Sequence, residues 1–242
     1  MGARRRIRDL LLRINIDAHR VDPNSYERRR SQLLSLLAVE WVIDIGANVG
    51  QYGQELRRGG YSGAILSVEP LTEAFELLRN NSRSDPQWTC INVALGREES
   101  VRTMHIAANL ASSSLLGMAP AHLEAAPEAA YVDSCPVTVR RLDDVVMENG
   151  ASTGPLFLKL DVQGTESDVL AGGPQTVATA IGMEIELSAV ELYEGQTTML
   201  DMLGVLHAQG LELWGITDEL IDGASRRTLQ YNALFVRAEG LK

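Results

Sequence analysis

Short, largely apolar runs closed by glycine or a small polar residue alternate along this chain with segments whose leucines recur at helical spacing. Trp41 to Ile45 is the first such run and ends in Gly46-Ala47-Asn48-Val49-Gly50. A continuous apolar run followed by a tight turn predicts a strand covered on both faces. Gln51 to Arg58 then predicts a helix stopped by Gly59-Gly60. Ala64 to Val68 is a second strand, Leu71 to Asn81 a helix and Thr89 to Ala94 a third strand. This is the βαβαβ rhythm of an open parallel sheet. Ahead of it, Ser25 to Val39 carries Leu33, Leu34, Leu36 and Leu37, which predicts a helix leading into the sheet.

Downstream the rhythm breaks and then resumes. Gly96 to Pro136 is less regular, with Ser112-Ser113-Ser114 and an Ala/Pro/Glu-rich stretch from Ala119 to Ala130, and is expected to lie over the ligand edge as a lid. Val137 to Arg140 predicts a short strand, Leu142 to Met147 a short helix, and Leu156 to Leu160 a core strand ending at Asp161. A helix from about Thr165 stops at Gly172-Gly173-Pro174. Ile181 to Leu187 is the next strand and Thr197 to Gln209 a helix, with Leu211 to Ile216 and Asn232 to Arg237 as a final pair. The fold class is therefore α/β, a mostly parallel seven-stranded sheet with helices on both faces and an inserted lid.

The 242 residues suit one such domain, and 45% hydrophobic residues supply its core. The expected division is a basic, amphipathic arm over 1–38 and the sheet domain over 39–242. No run of about 18 apolar residues and no signal-peptide pattern is seen, which places the chain in the cytoplasm. Cys90 and Cys135 lack metal-type spacing and are expected to be reduced. A net charge of -10 argues against nucleic acid as a partner. Residues 1–30, however, carry nine Arg against Asp9, Asp17, Asp22 and Glu27, a net of +5 that leaves -15 for the rest. Within this arm Ile7, Leu10, Leu11, Leu12, Ile14 and Ile16 accompany Arg4, Arg5, Arg6, Arg8 and Arg13. An amphipathic cationic helix suits peripheral contact with an anionic membrane, and equally packing on the domain or in a homodimer.

The chemistry begins at the first strand. Glycines there let backbone approach a ligand and point amides at it. Asp44, Gly46, Ala47, Asn48 and Gly50 are the expected cofactor contacts from this loop. The single Gly-x-x-x-Gly lacks the central glycine of the dinucleotide fingerprint, and no Gly-Lys-Ser/Thr follows, so NAD and nucleoside triphosphates are disfavoured. Glu69, 25 residues after Asp44 at the end of the second strand, can accept both ribose hydroxyls, with Pro70 beside it. Asn92, Val93 and Ala94, ending the third strand, are placed to bracket an adenine. These features together point to S-adenosylmethionine.

Asp161, in Lys159-Leu160-Asp161-Val162-Gln163-Gly164-Thr165-Glu166, ends the next core strand, where open α/β sheets bind ligands. It can hold the cofactor's amine, take a proton from an acceptor hydroxyl or ligate a divalent ion; its plain alternative is a helix N-cap. Glu184 and Glu186 share one face, and Glu186 with Asp161 can form a carboxylate pair for base catalysis or for a metal. His122, in the lid, is a further candidate base.

The segments "VIDIGANVGQYG", "SVEPLTEAFELL", "NVALG", "SSSLL", "RLDDVV" and "LKLDVQGTESDVLAGG", spanning about Val42 to Gly173, resemble the FkbM family of methyltransferases. The resemblance implies a class I Rossmann-like fold and methyl transfer from S-adenosylmethionine to a hydroxyl oxygen, with the Asp44–Gly50 loop and Glu69 binding the cofactor. Lys159 and Lys242 are the only lysines, a usage similar to that of high-GC bacteria. Similar proteins there methylate sugars of cell-envelope glycolipids, and other family members methylate macrolide hydroxyls. The implied partner is a small-molecule or lipid-linked glycan acceptor.

Overall fold

The computed structural model describes residues 25–151 and 153–237. The arm's amphipathic segment, Arg4 to Ile16, lies outside the described residues. In chain order the first half comprises α1 (Tyr26–Leu36), β1 (Trp41–Ile45), α2 (Gln51–Arg58), β2 (Ala64–Val68), α3 (Thr72–Ser82), β3 (Trp88–Ile91), β4 (Ala94–Leu95) and β5 (Ser100–Ala107). The second half comprises α4 (Pro120–Ala125), β6 (Tyr131–Arg140), α5 (Leu142–Glu148), β7 (Leu156–Leu160), α6 (Glu166–Gly172), α7 (Pro174–Thr179), β8 (Gly182–Ser188), α8 (Met199–Ala208), β9 (Leu211–Ile221) and β10 (Thr228–Arg237). A seven-stranded sheet runs β3-β2-β1-β7-β8-β10-β9, parallel except for β10, which is antiparallel to both its neighbours. This is the class I Rossmann-like architecture expected from the sequence.

Because successive strand residues face opposite sides, β1 divides its apolar residues between two cores. Ile43 and Ile45 join Leu142, Val145, Val169, Val177, Met202 and Leu206 on the face covered by α5 to α8. Val42 joins Tyr26, Leu33, Leu34, Tyr52, Leu56 and Leu78 on the face covered by α1 to α3. Helix α1 is thus packed into the sheet's own core. Its start is fixed by Ser25, whose hydroxyl accepts the Arg28 amide.

Three local expectations change. The third strand ends at Ile91, not Ala94: the Asn92 side-chain amide donates to the Glu69 and Pro70 carbonyls and ends the pairing with β2. Ala94 and Leu95 instead start a second sheet, ordered β4-β6-β5. The insertion is therefore more regular than its sequence, with β5 and β6 paired from Ser100–Val139 to Ala107–Tyr131. Leu71 and Ala74 meet Met104, Leu115, Val137 and Val139 beneath it, anchoring this sheet against the start of α3. Finally, Pro174 does not merely end a helix. It occupies the first turn of α7, where its missing N–H costs nothing.

Candidate active site

The turns after β1, β2 and β7 meet at the carboxyl end of the parallel strands. Gly46 has φ +79°, and a Cβ there would lie 1.8 Å from the Asp161 carbonyl oxygen, so the first and fourth central loops touch only because this residue has no side chain. Asn48 is also left-handed, at φ 48°. That geometry turns its backbone amide toward Glu69 Oε2, 2.8 Å away, while the Leu71 amide donates to Glu69 Oε1 at 2.9 Å. Each carboxylate oxygen keeps a lone pair for a ligand hydroxyl. Glu69 is only 6% exposed, and burial, opposed by these two amides, pushes its pKa up to about 7.

Below the turns the strands carry charge. Register places Asp44 beside Lys159 and Lys159 beside Glu184, an acid-base-acid row across β1, β7 and β8. Asp44 is fully buried; its Oδ2 accepts the Ser67 hydroxyl at 3.0 Å and its Oδ1 has no partner. Burial pushes Asp44 up to about 6 despite Lys159. Burial also disfavours charge on Lys159, but Asp161 and Asp44 outweigh it and hold the ammonium above its usual range. Glu184 is not among the residues that line the cavity of the site. Tyr52 Oη donates to it at 2.7 Å and Arg30 Nη1 reaches both its oxygens at 3.4 Å, pinning α1 and α2 to the sheet.

Asp161 and Glu186 are drawn together by one amide. Gln163 Nε2 donates to Asp161 Oδ1 at 2.6 Å and to Glu186 Oε2 at 2.9 Å. Asp161 Oδ2 accepts Lys159 Nζ at 2.8 Å, and Gln230 Nε2 donates to Glu186 Oε2 at 2.7 Å. Gln163 is left-handed at φ 54° and is fixed on every side: Tyr193 Oη donates to its Oε1, and Ser114 Oγ donates to its carbonyl at 2.6 Å. Burial, reinforced by the Asp161 and Glu166 charges, holds Glu186 well above the usual carboxylate range. Of the two carboxyl groups only Asp161 is bonded to the Lys159 ammonium, so the pair is electrically asymmetric. Asp161 is not an N-cap, because the N-cap of α6 is Thr165, four residues later. Glu166 steadies the intervening turn by accepting the Val162 and Gly164 amides at 3.1 and 3.2 Å.

These groups open into a cavity of about 300 Å³, within the size range of small-molecule sites. Of the residues expected from sequence, Gly46, Asn48, Glu69, Pro70, Val93, Ala94, Asp161, Glu186 and His122 line it. Asp44, Ala47, Gly50 and Asn92 do not. Asp44 and Ala47 are buried beneath the loop, Gly50 backs onto Leu78 and Trp88, and Asn92 is spent on the Glu69 and Pro70 carbonyls. The insertion supplies the opposite wall through Asn109 to Ser113, Leu115 and α4. His122 on α4 is 3% exposed, edge-on to Tyr193 at 5.0 Å, with Nδ1 unpartnered. Burial lowers its pKa, so the imidazole is neutral at physiological pH.

Among the described residues no three His, Cys, Asp or Glu converge to hold a metal ion. Asp161 and Glu186 each spend an oxygen on Gln163, and this pair does not make a metal site on its own. Sequence patterns gave no role to Tyr193, Gln230 or Glu219, which come from loops and the late strands. Lys159 did carry a signal, as a lone cation inside an otherwise apolar strand.

The 2-O-methyltransferase NoeI of Sinorhizobium fredii (strain NBRC 101917 / NGR234) is 28% identical over 192 residues, covering 76% of this chain and 79% of that protein. Among solved structures, magnesium protoporphyrin IX methyltransferase (ChlM) from Synechocystis PCC 6803 with bound SAM aligns with TM-score 0.42 at 13% identity, over 98% of each chain. Precorrin-6y C5,15-methyltransferase from Geobacter metallireducens GS-15 aligns with TM-score 0.42 at 13% identity, over 90% of this chain and 93% of that one. The family model described as Methyltransferase FkbM domain matches residues 44–213, from the Asp44 turn into β9. With the match covering more than half of its length, the chain belongs to the FkbM methyltransferase family.

Proposed function

We propose that this enzyme transfers a methyl group from S-adenosylmethionine to a hydroxyl of a sugar, carried on a cell-envelope glycolipid or another glycosylated metabolite. The observation that carries the proposal is that Glu69, the Asp161–Glu186 pair and residues of the insertion line one cavity. The 2-O-methyltransferase name of the Sinorhizobium relative supports a hydroxyl acceptor.

The residues fit the cofactor. The free lone pairs of Glu69 would receive the ribose hydroxyls, and the Gly46–Asn48 turn, kept open by the missing Cβ, would pass against the cofactor's chain. Val93 and Ala94 offer a flat apolar wall for a base. When bound, S-adenosylmethionine supplies an electrophilic methyl group on a positively charged sulfur. The protein then has two tasks, alignment and removal of one proton. Asp161, oriented by Lys159 and Gln163, would take the proton of the acceptor hydroxyl. Glu186 is its neighbour, held well above the usual carboxylate range by burial, and His122 stands in the roof within the same cavity.

The test is to incubate the protein with methyl-labelled cofactor and glycan or lipid fractions of the source organism. Label entering a sugar-containing fraction, and lost with Asp161→Asn, supports the reading; label entering only protein, nucleic acid or non-glycosylated material rejects it.

A further inference from the structure

The cavity has a marked chemical polarity. Glu128 and Glu219, both exposed, stand on its rim, and Glu69, Asp161 and Glu186 also line it, while among the described residues no Lys or Arg does. Lys159 lies behind the wall with its ammonium bonded to Asp161. Glu219 is held in place by Asn232 Nδ2 at 2.7 Å. His122, almost wholly buried in the roof with an unpartnered Nδ1, adds a neutral ring with one lone-pair nitrogen. The roof hydroxyls are partly spent: Ser113 Oγ accepts the Ala107 amide at 3.0 Å and Ser112 Oγ accepts the Asn109 amide at 3.0 Å. Each keeps one hydrogen to donate, which cannot neutralise an anion.

We propose that the sugar unit admitted by this cavity is uncharged or cationic, and that Glu128 and Glu219 help to exclude sugars bearing phosphate, sulfate or carboxylate. The inference rests on the sugar-methylating reading above and narrows its substrate class. Hydroxyl and ammonium groups bring hydrogens to the carboxylates of the lining. A phosphate or carboxylate brings only acceptors, and taking an anion out of water is costly where no Lys or Arg of the lining pairs with it. Like charges on the rim also slow its entry.

The experiment uses four methyl hexopyranosides that differ only at carbon 6: hydroxymethyl, aminomethyl, carboxylate and phosphate. Methyl transfer is followed with labelled cofactor, and thermal shift is measured on protein saturated with S-adenosylhomocysteine. The neutral and amino sugars should stabilise the protein, and kcat/KM for the two anionic sugars should be lower by about 30-fold or more. Glu219→Lys should narrow that gap by about fivefold or more without changing cofactor affinity. Anionic sugars that bind or react as well as the neutral one would overturn the inference, as would the absence of a shift with all four. If neutral sugars bind better than anionic ones and none is methylated, the charge rule stands and the sugar-transfer reading fails.

Discussion

The backbone amide of Asn48 donates to Glu69 Oε2 at 2.8 Å, tying the turn after β1 to the end of β2 before any ligand arrives. The left-handed conformation of Asn48 is what aims that amide, so the first glycine turn and the Glu69 carboxylate are one preformed unit. Preorganisation of this kind lowers the ordering cost of binding.

Glu69→Gln should weaken cofactor binding by about 10- to 100-fold while leaving saturated turnover nearly intact, as measured by calorimetry and initial rates. The pH dependence is a sharper sign of the same role. Burial raises Glu69 to about 7, above its unfolded value, so its contribution to the stability of the free protein is present at acid pH and lost as pH rises through about 7. Accepting two hydroxyls favours the ionised form. Cofactor affinity should therefore tighten as pH rises through about 7 in the wild type and flatten in Glu69→Gln; parallel profiles would remove Glu69 from this role.

Gly46→Ala places a Cβ 1.8 Å from the Asp161 carbonyl at φ +79°. Either the two loops separate or the turn refolds, at a cost of about 3 kcal/mol. Denaturant unfolding should show that loss, and cofactor binding should fall with it.

Arg30 and Glu184 are 4% and 2% exposed and join α1 to the middle of the sheet. Arg30→Met leaves Glu184 with Tyr52 as its remaining donor and should destabilise the protein by about 3 kcal/mol. Combining it with Glu184→Leu should cost less than the two single changes summed, because the stranded charge is gone. An additive double mutant in urea unfolding would contradict the coupling.

Asp161→Asn should reduce kcat by about 100-fold or more, with cofactor affinity changed by less than about threefold. Tyr193→Phe removes the hydroxyl that holds Gln163 and should lower kcat more modestly without altering cofactor binding. Rapid-quench rates beside calorimetry separate the two effects.

Much of this was legible in the sequence because the central strands are short apolar runs, two of them followed by glycine-containing turns. Trp41–Ile45, Ala64–Val68 and Leu156–Leu160 needed no tertiary information to find. The roof was harder to read, since β6 is largely exposed and alternates without a strong apolar face. The ends of β9 and β10 carry Asp218, Glu219, Gln230 and Asn232, polar residues that obscured the strands and also place Glu219 and Gln230 at the cavity. The Asp161–Glu186 pair could be anticipated from strand ends. The amide joining them could not, because it depends on the left-handed turn at Gln163.

The most direct measurement is the identity of the methylated product. Protein, labelled S-adenosylmethionine and the glycan or glycolipid fraction of the source organism would be incubated, the product hydrolysed, and its sugars separated and analysed by mass spectrometry. The account predicts a labelled O-methyl monosaccharide that is absent with Asp161→Asn. Label on an aglycone or on nitrogen, with every sugar unlabelled, would contradict it.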